Sequence, residues 1–169
     1  MPGSDVARKP TWIGSHIDTV INGGMFDGLT GVACALEVVR CLKESAFNNK
    51  TPISVVVFSE EEGTGFGSTT TGSKAIAGLY SIDDLKKLKG EDNTSYYDAL
   101  KRNNYKPDHL PDDVILSGDL EAMFELHIEQ GNYLTHVTHP SLIEALGTMI
   151  SVRKGKASFA TQSGSNGAY

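Results

Sequence analysis

The sequence predicts an α/β fold with a mostly parallel sheet, and three segments near the N-terminus indicate it. Residues 10–18 form a short apolar segment that predicts a first strand. Residues 29–44 carry apolar side chains at helical spacing, which predicts an amphipathic helix. The run ISVVVF at 53–58 is apolar throughout, as in a strand that is covered on both faces. Strand, helix and strand at this spacing form a βαβ unit, whose strands are parallel.

Weaker signals predict the elements that follow. Ser81, with Asp84 three residues later, has the capping-box pattern of a helix start, and we expect that helix to stop at Gly90. The other predicted elements are helices at 73–80 and 95–103, a loop at 107–113, a strand at 123–128, and a hairpin from residue 148 with its turn at 154–155.

Composition excludes several classes of protein. The chain has 169 residues, of which 39% are hydrophobic and 21% charged, which is typical of a globular domain. Its net charge of −6 argues against a nucleic-acid or anionic-membrane surface, and no apolar run is long enough to span a bilayer. Cys34 and Cys41 are seven residues apart on the first predicted helix, about 10 Å, which is too far to bridge. We expect buried free thiols and a cytoplasmic location.

Polar side chains cluster where the predicted strands end. His16 and Asp18 end the first strand, Glu60–Glu62 follow the second, His127 lies near the end of the third, and Asp27 precedes the first helix. The carboxyl ends of parallel strands meet at one edge of a sheet, where sites form. Taken singly, each residue is more typical of a turn or a solvated charge run than of a metal ligand. Together, after a βαβ unit, they indicate a divalent-metal site as readily as these alternatives; in such a site a carboxylate can bridge two ions and another can act as general base. His136 and His139 are a less favoured second pair.

Four motifs then suggest a family. GSHIDTVINGGMFDG, FSEEEGTGFG, GSKAIAG and ELHIEQG, in this order, resemble the amidase, hydantoinase and carbamoylase branch of the M20 metallopeptidase-like family. The resemblance covers roughly residues 12–134. It implies a partial three-layer αβα catalytic domain over residues 1–143. The start of an inserted α+β lid and dimerisation domain would follow at 144–169.

The resemblance also implies roles for seven residues. Two divalent ions, zinc, manganese, nickel or cobalt, would be held by four side chains, with Asp27 as the bridge: His16, Asp27, Glu62 and His127. Of these, His16 and His127 would bind one ion and Glu62 the second. The other three residues would be Glu61 as general base, Asp18 as the partner that orients His16, and Gln130 facing the substrate.

The function implied is hydrolysis of linear C–N bonds in N-carbamoyl amino acids or allantoate-like ureides, by a protein that is a homodimer at full length. One alternative is an M20-type aminopeptidase or deacylase, although peptidase branches tend to place a carboxylate where His127 stands. Another is a non-catalytic remnant that binds metal. Family members are longer and supply a lid and a further His ligand. We therefore expect the chain to be a fragment that is inactive or barely active by itself.

Overall fold

In the part of the chain that the structure describes, a parallel three-stranded sheet is the centre of the fold. The structure is a computed structural model that describes residues 1–116, 118–128 and 130. Its elements in chain order are β1 (Thr11–His16), α1 (Leu29–Glu44), β2 (Ile53–Phe58), α2 (Thr71–Ile76), α3 (Ile82–Lys87), α4 (Tyr96–Arg102), a 3-10 turn (Pro107–His109), α5 (Leu110–Asp113) and β3 (Ala122–Phe124). The prediction of an α/β fold with parallel strands is confirmed.

The first strand lies in the middle of the sheet. The order is β2-β1-β3, and both pairings of β1 are parallel. The pairing with β2 runs from Thr11↔Ile53 to His16↔Phe58, whereas the pairing with β3 covers only three residues and ends at Ile13↔Phe124. The carboxyl ends of all three strands therefore lie at the same edge. The predicted strand at 123–128 was too long, because the chain leaves the ladder after Phe124.

Helix α1 has the predicted bounds and packs against β1 and β2. Its buried residues are Gly31, Val32 and Ala35. The expectation of buried thiols was wrong, because this face excludes both cysteines: Cys34 is half-buried and Cys41 is exposed beside Glu37. Both thiols are free, as predicted.

The smaller helices differ from prediction where backbone pairing or proline decides. The Ser81 capping box is present as predicted, but α3 ends at Lys87, because Lys89 pairs with Ser95 in an antiparallel bridge. Residues 107–113 were predicted as a loop and instead form the 3-10 turn and α5. Each of these begins with a proline in its first turn, where the missing N–H costs nothing. Helix α2 ends at Ile76, and its predicted continuation to Tyr80 is interrupted at Gly78, which has a positive φ.

Several predictions concern residues outside the described ranges and stay predictions. They are the hairpin from residue 148, the pair of histidines in HVTHP, and the domain boundary at 143–144. The three-layer arrangement also stays a prediction. Among the described residues, no helix is both long and apolar enough to cross a bilayer.

Candidate metal centre

Four side chains from four separate segments meet at the carboxyl edge of the sheet. His16 ends β1, Asp27 lies just before α1, Glu62 follows β2, and His127 follows β3. One nitrogen or carboxylate oxygen from each of them lies within 4.8 Å of all the others. His16 and Asp27 are buried, and Glu62 and His127 are half-buried. The structure therefore brings together the four residues that the resemblance proposed as ligands.

The hydrogen bonds of the two imidazoles leave both outer nitrogens free to bind a cation. His16 Nδ1 donates to the backbone carbonyl of Asp18 at 2.7 Å, and His127 Nδ1 donates to the carbonyl of Ile128 at 2.6 Å. Because a carbonyl only accepts, the ring proton of each neutral histidine is on Nδ1. The two Nε2 atoms are 2.8 Å apart, so their lone pairs repel unless a cation lies beside them. This arrangement is typical of metal-binding histidines.

The two carboxylates lie against the histidines. Asp27 Oδ1 is 3.6 Å from His127 Nε2, and Glu62 Oε1 is 3.5 Å from His16 Nε2. Asp27 is held by its other oxygen, which accepts from the Val20 N–H at 3.0 Å. Imidazole nitrogens with carboxylate oxygens form a donor set that suits zinc, manganese, cobalt or nickel. The residues present therefore fit a divalent cation.

Gln130 lies within the same cluster. Its amide Nε2 donates to Asp27 Oδ1 at 2.7 Å and to Glu62 Oε1 at 2.5 Å. The amide thus lies between the carboxylates of Asp27 and Glu62, which would otherwise repel each other. The residue has a φ of 58°, in the left-handed region. Gln130 is thus close enough to touch both proposed ligands, and its predicted role toward the substrate stays a prediction.

Asp18 contacts both His16 and Glu62, but not in the way the sequence suggested. Its carboxylate is 3.8 Å from His16 Nδ1, beyond hydrogen-bond distance, and the ring is held by the Asp18 carbonyl instead. Asp18 Oδ2 accepts from the Glu62 N–H at 2.8 Å. Within the described residues, Asp18 Oδ1 is buried without a hydrogen-bond partner. The residue therefore fixes the backbone of one proposed ligand and the ring of another.

Glu61 is anchored at α2. Its two oxygens accept from the Ser73 backbone N–H and from the Ser73 hydroxyl, each at 2.7 Å. Burial raises the pKa of Glu61 above its ordinary value, although the hydrogen bonds from Ser73 lower it in part. Because Ser73 fixes its carboxylate and the next residue is the proposed ligand Glu62, Glu61 is a good candidate for a general base.

The three consecutive glutamates have three different environments. Glu60 is buried, and its Oε1 accepts from the N–H groups of Gly65 and Phe66 at 2.9 and 2.8 Å. It closes the loop after β2, so the alternative of a solvated charge run is wrong for this residue. Sequence reasoning did not identify a role for Glu60 or Ser73. Only the close spacing of Glu60 to the other two glutamates could have drawn attention to it.

A glycine lets α1 begin directly against a proposed ligand. Gly28 has a φ of 62°, and a Cβ added there would lie 2.3 Å from His16 Nδ1 and 2.4 Å from His16 Cε1. No side chain could occupy that space without moving the imidazole. The close approach places Asp27, the preceding residue, beside His16.

Fold and site together define a class: α/β proteins that hold imidazole and carboxylate donors for a divalent cation at the carboxyl edge of a parallel sheet. The sequence model of the peptidase family M20/M25/M40 matches residues 12–164. The chain belongs to this family, which confirms the resemblance seen in the four motifs.

Several of its relatives in the family are named as amidohydrolases. The chain is 42% identical over 132 residues to an N-carbamoyl-L-amino-acid amidohydrolase of Paenarthrobacter aurescens, covering 78% of this chain and 32% of that protein. It is 36% identical over 129 residues to the allantoate amidohydrolase of Escherichia coli strain K12, covering 76% of this chain and 31% of that protein.

A solved structure of an amidase has the same fold over the matched residues. A hydantoinase/carbamoylase family amidase from Burkholderia ambifaria superposes with a TM-score of 0.67 at 33% identity, over 80% of this chain and 32% of that one. The chain therefore spans about a third of the length of the relatives it matches.

Proposed function

We propose that this chain forms the metal-binding part of a hydrolase that cleaves a linear C–N bond in a small ureido compound. The observation that carries the proposal is the cluster of His16, Asp27, Glu62 and His127. Glu61 directly precedes Glu62 in the chain. The names of the relatives supply the substrate class: N-carbamoyl amino acids, allantoate and ureidoglycolate.

The ligand assignment is part of the proposal. Two divalent ions would be held by the four clustered residues, with Asp27 between them, and zinc, manganese, nickel and cobalt all suit these donors. Such ions supply Lewis acidity, which polarises a carbonyl and makes water easier to deprotonate. Asp27 is fully buried, and a buried carboxylate needs hydrogen bonds or compensating positive charge, which a position beside divalent ions would supply.

The chain's own residues then move the proton. Glu61 takes a proton from the attacking water as the water oxygen bonds to the ureido carbon, and it passes that proton to the leaving nitrogen as the C–N bond breaks. The carbamate released decomposes to ammonia and carbon dioxide. Ser73 holds Glu61 in place by two hydrogen bonds, which fixes the carboxylate for both transfers. Asp18 would keep His16 and Glu62 in position, and Gln130 would contact the substrate.

Substitution of Glu61 tests the proposal. The wild-type chain, loaded with zinc, manganese, cobalt or nickel, is assayed for ammonia release from N-carbamoyl amino acids and allantoate, with a dipeptide and an N-acyl amino acid alongside. We expect slow, metal-dependent release from a ureide. Glu61→Gln should abolish it with the metal content unchanged, because the amide cannot accept the proton. Glu91→Gln, in the exposed turn before α4, is the matched control.

The other possible results of this assay would each contradict one part of the proposal. Loss of metal from Glu61→Gln would mean that the base and a ligand were exchanged in our assignment. Preferential cleavage of the dipeptide or N-acyl compound would favour an aminopeptidase or deacylase. Ion binding without turnover of any ureide would contradict catalysis by this chain alone and favour a non-catalytic metal-binding chain, whereas turnover at ordinary enzyme rates would contradict the expectation that the chain is barely active by itself. A homodimer at full length and a cytoplasmic location stay predictions.

A further inference from the structure

A buried hydrogen bond joins two ligand-bearing segments just beyond the sheet. Ser15 Oγ donates to Glu125 Oε1 at 2.7 Å, and Ser15 is 0% exposed. The registered pairing of β1 with β3 ends earlier, at Ile13 and Phe124. The bond therefore connects β1 to the chain after β3 at the level where the two strands no longer pair. We call this bond the Ser15–Glu125 clasp.

Each residue of the clasp lies within two positions of one of the two histidines. Ser15 directly precedes His16, and Glu125 lies two residues before His127. Glu125 contacts Ser15 and His127 contacts His16, so both side chains turn toward β1. The Nε2 atoms of the two histidines lie 2.8 Å apart in the same region.

The start of α1, which follows the proposed ligand Asp27, also lies against the Ser15–Glu125 clasp. A Cβ added at Gly31, in the first turn of α1, would lie 2.5 Å from Ser15 Cβ and 2.2 Å from the carbonyl oxygen of Leu126. The α1 backbone thus rests directly on both sides of the clasp. Asp27 lies one turn before Gly31, so its position depends on the same contact.

Glu125 depends on one specific contact. It is half-buried, and within the described residues its side chain has the Ser15 hydroxyl as its hydrogen-bond partner and no cation. A partly buried carboxylate needs such a donor, so removal of the Ser15 hydroxyl would leave Glu125 without this partner. The orientation of Glu125, and of the chain that leads to His127, therefore depends on Ser15.

We propose that Ser15 and Glu125 are positioning residues that set the separation of His16, His127 and Asp27, and thereby the affinity for divalent ions. The inference rests on the proposed metal-binding function. It assigns a role to two residues that touch neither ion nor substrate.

Ion affinity measured on the full 169-residue chain tests the clasp. Affinities for Zn²⁺ and Co²⁺ are obtained by competition with a chromogenic chelator, and the Co²⁺ absorption spectrum reports the geometry around the ion. Ser15→Ala and Glu125→Leu should each weaken binding by about 10-fold or more, the range for residues that orient metal ligands. The double variant should be no worse than either single one, since both remove the same bond. Glu125→Gln keeps an acceptor oxygen and should stay within about 2-fold of wild type.

Ser95→Ala is the matched control. Ser95 is also a buried serine whose hydroxyl donates to a carboxylate, that of Asp98, but it caps α4, which carries none of the proposed ligands. This variant should lower the unfolding midpoint and leave ion affinity and the Co²⁺ spectrum unchanged.

The experiment distinguishes failure of the proposed metal-binding function from failure of the inference about Ser15 and Glu125. A wild-type chain that binds neither ion overturns the metal-binding function and this inference with it. Wild-type binding that Glu125→Leu leaves intact overturns the inference alone. So does a loss in Glu125→Gln equal to that in Glu125→Leu, or a loss in Ser95→Ala equal to that in Ser15→Ala.

Discussion

Replacing Gly28 by alanine should destabilise the protein through two separate terms that the structure allows us to divide. The first is backbone strain: at a φ of 62°, an L-residue costs about 1–2 kcal/mol relative to glycine. The second is overpacking, because the new Cβ would meet the His16 ring at 2.3 Å. Overpacking of a tight interior costs about 1–3 kcal/mol. Gly28→Ala should therefore lower the free energy of unfolding by about 2–5 kcal/mol.

Gly24 provides the comparison, because it shares the strain but not the contact. Its φ is 78°, and a Cβ added there would meet nothing within 4 Å. Gly24→Ala should cost about 1–2 kcal/mol from strain alone. The difference between the variants, about 1–3 kcal/mol, isolates the contact with His16.

Urea unfolding of both variants, with and without Zn²⁺, is the assay. An ion that binds only the folded state raises the stability of Gly24→Ala as it does that of the wild type, whereas Gly28→Ala should gain less because its His16 ring is displaced. Equal destabilisation of the two variants without Zn²⁺ would refute the packing of Gly28 on the ring. If Zn²⁺ stabilises the wild type, equal gains in the two variants would refute displacement of the His16 ring.

Two further predictions concern the loop after β2 and the cap of α3. Glu60→Ala should lower the free energy of unfolding by about 2–4 kcal/mol, because two backbone N–H groups lose a charged acceptor, and Glu60→Gln should cost less; equal losses in urea unfolding would contradict this. Ser81→Ala should cost about 1 kcal/mol as a lost helix cap. The Ser81 hydroxyl and Lys87 hold the pKa of Asp84 below its ordinary value of 3.8, so this cap stabilises the fold above pH 3.8 and weakens as the pH falls below it, which acid titration of the unfolding midpoint checks.

Elements with a single strong local signal could be predicted from the sequence. The bounds of α1 and β2 agree because amphipathic spacing and an unbroken β-branched run each leave one good solution. The Ser81 cap was predictable because its hydrogen bonds are local. The end of α3 was not, because it depends on the pairing of Lys89 with Ser95 across a turn.

Some features of the candidate site could likewise be predicted from the sequence, and others could not. The segments that carry the four proposed ligands could be predicted because parallel strands bring their carboxyl ends together, whereas the choice of these four side chains came from the resemblance to the family. The environments of Glu60, Glu61 and Asp18 could not, because each depends on which backbone N–H groups a loop turns inward. Nor could the partnership of Ser15 with Glu125, since nothing in a linear sequence relates a serine on one strand to a glutamate 110 residues later.

The central position of β1 has a consequence for how the protein folds. His16 and His127 are 111 residues apart in the chain, so the cluster can form only after a loop of that length has closed and β3 has docked beside the first strand. Asp27 and Glu62 lie nearer the N-terminus than His127, so the four-residue cluster is complete only after the segment that follows β3 has docked. A divalent cation bound at this cluster would therefore favour the state in which β3 has paired with β1.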